Sequence, residues 1–442
     1  MVNTLHRYRG ELIHDGKRYF PAYCVLALEP LLLVPLLLGL LSGEQLGMLG
    51  AVEALNVVLC GISQLGVKFA YLQFVADHGQ NGRGRGFWTA TLLTAVAGLF
   101  AGGIFALLLN SAWVAFHLGV SPEIHWLTLG ALLLATNVQM MLVTDLRAKR
   151  SPRPFVFASG IRVLLMLALL AWLAPSSASP VNGVLLAQAL ASGVSILVLC
   201  LIGGIPRVTG FDPKLAREFV GYGWPIATGS LIKYGTDALL PWLCLALVSP
   251  VSAGAMALAA KTAAMFDAGF GLPFLMAWGG RIYEWLKEQA SRAVLPRLFA
   301  GIALAAAVAA LLSWGVGEWL LWLSGSEREV AVQAMVLLPF ALAGKALFVL
   351  RSPASAGLLI TRDMRWNIGY AVKALVAFAF LGPLMFRFFG APGGWGVFVV
   401  IEAAVVTHMF LRGNALLHHA LAPADAGPGV PAACRPCSAV AR

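Results

Sequence analysis

From Phe20 nearly to the C-terminus, long apolar runs alternate with short polar gaps. Twelve runs can be marked, at 20–42, 47–75, 87–110, 124–145, 154–174, 182–204, 219–248, 253–278, 295–323, 331–360, 367–386 and 394–411. A helix needs about 20 apolar residues to cross about 30 Å of hydrocarbon. Backbone groups in hydrocarbon must be satisfied inside the protein, by a helix or a closed barrel, and runs this continuous lack the two-residue alternation of a membrane barrel strand. The pattern predicts an all-α polytopic membrane protein with about 12 transmembrane helices. Composition agrees: at 60% apolar and 12% charged, 442 residues carry more apolar surface than a water-soluble fold buries.

The gaps sort by charge. Every second gap holds cations: Arg7, Arg9, Lys17 and Arg18; Arg83 and Arg85; Arg147, Lys149, Arg150 and Arg153; Arg207, Lys214 and Arg217; Arg281, Lys287, Arg292 and Arg297; Arg362 and Arg365; Arg412, Arg435 and Arg442. The opposite gaps hold only Arg328 and Arg387. Positive charge collects on the cytoplasmic side, so both termini are expected in the cytoplasm and the number of crossings is even. The same scatter over short inner loops removes nucleic acid as the partner behind the net charge of +11.

Residues 1–19 are too polar for a signal-peptide core and read as a cytoplasmic leader or a short interfacial helix, with Leu5, Tyr8, Leu12 and Ile13 set against Arg7, Arg9 and Lys17. Residues 413–442 read as a disordered cytoplasmic tail. Cys24, Cys60, Cys200 and Cys244 lie in apolar runs and behave as small core residues. Cys434 and Cys437 supply half of a tetrahedral zinc shell, with no second pair or His cluster near, so no metal is expected. The GRGRG run at 82–86 lacks the Lys-Ser/Thr of a phosphate loop. No cofactor is expected.

The turn LLSGEQLGMLGAVEALN before span two has a partner, LVSPVSAGAMALAAKTA, before span eight. Ser42 aligns with Ser249 and Gly47 with Gly254, 207 residues on. Both turns enter the membrane from the same side, which predicts a parallel repeat about an axis along the membrane normal. Two six-helix bundles follow, at 20–204 and 219–412, joined by a cytoplasmic linker at 205–218.

These segments carry a family resemblance. LSGEQLGMLGAVEALNVVLCGISQLGVKFAYLQFVAD is similar to the first outer turn and second helix of bacterial polysaccharide flippases, within the multidrug/oligosaccharidyl-lipid/polysaccharide exporter superfamily. REFVGYGWPIATGSLIKYGTDALLPWLCLALVSPVSAGAMALAAKTA resembles the start of that family's second half, and FRFFGAPGGWGVFVVIEAA its last turn. One departure is Met256, where the family usually has Tyr. The resemblance covers about residues 20–412. It implies a flippase for a polyprenyl-diphosphate-linked oligosaccharide, working at the inner (plasma) membrane beside membrane lipids, a polysaccharide polymerase and assembly proteins.

Charges at mid-depth are costly unless paired or wet, which makes them candidates for function. The runs contain the cations Lys68, Arg162, Lys233, Lys261, Lys345, Arg351 and Lys373, and the acids Glu29, Glu53, Asp237, Asp267 and Glu402, with Asp145 at an inner end. A cation surplus suits an anionic cargo, so Lys68, Lys233, Lys261, Arg162 and Lys345 are candidate substrate-binding residues. Glu53, Asp237 and Glu29 are candidates for coupling or gating. Glu53, Asn56, Cys60, Gln64 and Lys68 share one helical face, which either lines the path or packs helices together. Lys233 stands four residues before Asp237, where pairing is the alternative. Arg351 and Lys373 read as reaching the anionic inner leaflet. Tyr23, Tyr71, Tyr222, Tyr234 and Trp242 are available for sugar faces.

A cation or drug antiporter of the same superfamily is the rival reading, and it would want an acid-rich cavity. An integral-membrane glycosyltransferase or polymerase would need a carboxylate pair or a sizeable outer loop. The outer loops are short, with only Glu327 and Glu329 around Arg328, so no enzyme is expected.

Overall fold

The computed structural model describes residues 2–109, 125–149, 153–285, 289–323, 328–356, 358 and 364–421. The CxxC and the end of the tail lie outside them, as do the side chains of Tyr23, Cys24 and Lys233. The helices are α1 (Val2–Leu40), α2 (Gly43–Gln64), α3 (Val67–Leu109), α4 (Trp126–Ala148), α5 (Arg153–Ser176), α6 (Pro180–Gly203), α7 (Pro213–Leu247), α8 (Pro250–Phe266), α9 (Leu272–Trp285), α10 (Gln289–Leu323), α11 (Arg328–Ala354) and α12 (Met364–Leu421). A π-helical segment, Asp267–Gly271, joins α8 to α9.

Two of these helices reverse direction. The rings of Tyr71 and Phe87 are 6.2 Å apart, whereas 16 residues of straight helix rise about 24 Å. Phe378 and Phe398, 6.0 Å apart, report the same of α12, whose turn falls at Gly390 with φ 64°. Only a residue without a Cβ adopts that backbone freely. Counting both halves of α3 and α12, the spans predicted at 87–110, 367–386 and 394–411 are present. Eight of the described helices are long and apolar enough to cross a membrane on length and composition alone. Their outward side chains are apolar: Leu201 is 83% exposed, Phe380 73% and Trp322 72%, as lipid-facing positions should be.

The second predicted span, 47–75, is not one helix. α2 ends at Gln64, Leu65 is left-handed (φ 44°), and the chain restarts at Val67. The reason is a close approach to a helix distant in the chain. Gly66 (φ 70°) lies against α7, where a Cβ would stand 2.2 Å from the carbonyl oxygen of Gly223. At the other end, α1 runs without a break from Val2, so the leader is continuous with the first span.

The repeat extends over the whole fold. Subtracting 207 places α7 on α1, and α8 with its π segment on the 22 residues of α2. The two starting turns use the same cap. Ser42 Oγ accepts from Gln45 N (3.3 Å) and Ser249 Oγ from Ser252 N (3.0 Å), each satisfying an orphan donor of the first turn. The halves differ after that: Pro273 cannot donate to the carbonyl of Gly269, and the ladder loosens there to π spacing, with Leu272 N bonding Asp267 O.

α2 and α8 meet along a seam of small residues. A Cβ on Gly47 would lie 2.3 Å from Pro250 O, one on Gly254 2.2 Å from Gly43 O, and one on Gly50 2.2 Å from the Cβ of Ala257. Gly43 and Pro250, Gly47 and Gly254, and Gly50 and Ala257 are repeat mates. The contacts are therefore reciprocal about a local two-fold axis, as in an isologous interface. Close backbone approach of this kind is how helices associate without a hydrophobic driving force between them.

Candidate functional site

The seam leads directly to the charges. One turn further along each stripe stand Glu53 and Lys261, and Lys261 Nζ is 2.5 Å from Glu53 Oε2. Gln188 of α6 donates to the other oxygen, Glu53 Oε1, at 2.7 Å. At 1.5 Å per residue Glu53 lies about 16 Å and Lys261 about 18 Å below their capping serines, which is mid-depth in a membrane about 30 Å thick. The two side chains are 21% and 15% exposed. The pair is thus central, bridges the two halves of the repeat, and keeps some access to its surroundings. Trp242 of α7 crosses beside it, donating from Nε1 to Ala51 O at 3.1 Å.

The other predicted residues are placed as follows. Arg162 of α5 pairs with Glu29 of α1 within the first half. Lys345 of α11 pairs with Asp267 at 2.5 Å, at the first residue of the π segment, and Asp237 and Tyr234 of α7 lie within electrostatic reach of it. Lys68 sits beyond the end of α2, whose 22 residues already cover about 33 Å, with Nζ 5.2 Å from the Phe69 ring centroid. It is therefore at a different depth from Lys261.

The polar face of α2 divides in two. Glu53 meets the opposite half, whereas Gln64 and Ser63 bond Asn137 of α4 (3.3 and 2.8 Å) and join helices of one half, which is the packing alternative. Tyr71 is likewise committed: its hydroxyl donates to Asp145 at 2.6 Å, and Arg83 and Lys149 complete that carboxylate's surroundings at the C-terminal end of α4. Arg351 is largely buried. It turns toward the buried Glu402 of α12, 3.9 Å away.

The partnership of Glu53 with Lys261 was not foreseen from the sequence, although a signal for it exists. Continuing the stripe Gly43, Gly47, Gly50 by one turn gives Glu53, and continuing Pro250, Gly254, Ala257 gives Lys261. Among the described residues no group of three or more His, Cys, Asp or Glu is placed to hold a metal.

This architecture has known counterparts. The chain is similar to the inward-facing conformation of a multidrug resistance MATE family transporter of the MOP superfamily, at 14% identity over 89% of this chain and 95% of that one, TM-score 0.65. It is similar to a point mutant of the Vibrio cholerae MATE transporter VcmN, at 15% identity over 94% and 98%, TM-score 0.66. A third likeness is to a MOP superfamily transporter from Pyrococcus furiosus described as having a binding pocket of reverse polarity, at 13% identity over 93% and 96%, TM-score 0.54. No protein-family model matches the chain, and no curated protein matches it in sequence. At these identities the likeness establishes the fold: the two-lobed, all-α architecture of MATE-type membrane transporters.

Proposed function

We propose that the chain is a non-enzymatic secondary transporter of the inner membrane that exposes a central site alternately to either side. The observation that carries this reading is the Glu53–Lys261 pair, which ties the two halves at mid-depth, where a change of partner converts directly into relative motion of the halves. The MATE-type fold of the similar structures supports it.

For the cargo, the sequence resemblance supports a polyprenyl-diphosphate-linked oligosaccharide moved from the cytoplasmic to the periplasmic leaflet for surface polysaccharide assembly. Protonation or displacement of Glu53 would leave Lys261 available to a diphosphate. A second reading, drug or cation antiport, is supported by the multidrug resistance ascribed to a MATE neighbour. Pairing strengthens it: with Lys261, Lys345 and Arg162 each neutralised by a carboxylate, the cation surplus argues less strongly for an anion. The Pyrococcus furiosus neighbour supports the view that one fold carries pockets of either polarity.

Deleting the gene separates the two cargoes. Accumulation of a lipid-linked oligosaccharide on the cytoplasmic leaflet is the result expected of the flippase, and heightened sensitivity to cationic drugs with a normal lipid-linked pool is that of the antiporter. If neither appears, the transport reading fails.

The orientation has its own test. Reporter fusions at Gly210 and after Leu421 should both read cytoplasmic, because the cations sort to that side. A periplasmic signal from either would overturn it.

A further inference from the structure

The inner ends of the two halves are crossed. α1 packs on α5 of its own half through Glu29 and Arg162, yet its first turns leave that half. Tyr8, 1% exposed, and Leu12 enter a cluster built by Trp278, Trp285, Val294 and Leu295 of α9 and α10. The Tyr8 and Trp285 rings are 4.5 Å apart, and Trp285 Nε1 donates to Glu11 Oε2 at 3.0 Å.

The second half does the converse. Leu215 and Phe219, from the first turns of α7, enter a cluster of Tyr71, Phe87 and their neighbours in the first half. The two clusters are repeat images. Tyr8 and Leu215, Leu12 and Phe219, Tyr71 and Trp278, and Phe87 and Val294 are each separated by 207 residues. Each half thus lends its leading helix to the inner end of the other, forming two equivalent clasps.

Connectivity makes the clasps unequal. The linker 204–212 joins α6 to α7 and is itself laid on the first half. Asp212 Oδ2 is 2.6 Å from Arg85 Nη2, Asp212 N donates to Thr89 Oγ1 at 3.2 Å, and Trp88 Nε1 donates to Pro206 O at 3.2 Å. Gly66 and Gly223 bring the two backbones together just beyond. The start of α7 is held to the first half by the chain as well as by packing. The start of α1 is held to the second half by side-chain contacts.

We propose that the α1 clasp is a releasable latch between the inner ends of the two bundles, and that the α7 clasp is the fixed pivot about which they part. The inference rests on the alternating-access reading and names the element that regulates it.

The test needs no cargo. In a cysteine-free protein reconstituted in lipid, spin labels at Ile13 and Gly301 span the α1 clasp, and labels at Phe157 and Glu218 span the α7 clasp; Ile13 and Phe157 are exposed, and Gly301 faces open space. Pulsed electron resonance should show a second, longer distance for the first pair and a single distance for the other. Tyr8→Ala should raise the longer population about ten-fold, equivalent to about 1.4 kcal/mol. Trp285→Ala should do the same through the other partner. If the Phe157–Glu218 pair separates instead, or both pairs separate together, bundle motion stands and the latch assignment is overturned. If neither pair changes in any variant, bundle motion itself is absent, and the alternating-access reading falls with the proposal.

Discussion

Lys261→Ala is expected to destabilise the protein far more than the loss of one long side chain warrants. It leaves the Glu53 carboxylate in a mid-depth, four-fifths buried position with Gln188 as its remaining partner. Removing one member of a buried ion pair costs about 3–5 kcal/mol, because the other charge is left uncompensated. The two side chains here keep some exposure, so the lower end of that range applies. Replacing both partners by neutral groups of similar volume is close to neutral. The double variant Glu53→Gln/Lys261→Met should therefore melt near the parent while still failing to transport. Thermal unfolding of the three purified proteins in one detergent decides the matter. A single variant as stable as the parent would mean that the pair bears no load, and a double variant as unstable as the single would mean that Lys261 stabilises by packing.

The second large effect is expected at the seam. In Gly47→Leu the new Cβ meets the backbone oxygen of Pro250 at 2.3 Å, and backbone cannot rotate out of the way as a flexible side chain can. Overpacking costs about 1–3 kcal/mol, which shifts an equilibrium between closed and open seams about five- to 150-fold. The N-terminal halves of α2 and α8 should be wedged apart, which in the proposed orientation traps the outward-open form and abolishes turnover. Gly254→Leu should behave alike, since Gly254 is the repeat mate of Gly47 and meets Gly43 O in the same way. By contrast, Gly193→Ala should be silent, because nothing lies within 4 Å of the added carbon.

Much of this was legible in the chain because a membrane simplifies the code. Span existence depends on length and apolarity, and the turns at Ser42 and Ser249 announce themselves by a cap that needs a hydroxyl. From those two turns came the 207-residue offset, which the structure extends to the seam and to the inner clusters. The break at Leu65–Gly66 was not legible, because apolarity continues across it and its cause lies 157 residues away at Gly223. Depth suffered from the same omission: an unbroken span from 47 to 75 put Lys68 near mid-depth, and the helix end at Gln64 moves it beyond. Pairing was the larger gap. Composition counts charges, but the partnerships of Glu53 with Lys261, Arg162 with Glu29 and Lys345 with Asp267 depend on which helices touch. That information is tertiary.

The most direct test is the accessibility of the central site from the two sides of the membrane. Asn56 lies one turn from Glu53 on α2, with a buried side-chain oxygen that has no hydrogen-bond partner among the described residues. A single cysteine at Asn56 in an otherwise cysteine-free protein can be challenged with a membrane-impermeant thiol reagent in right-side-out and inverted vesicles. The account predicts labelling from both sides in the parent, and labelling from the outside alone once Gly47→Leu is added. Labelling from neither side, or from one unchanged side in both proteins, would contradict it.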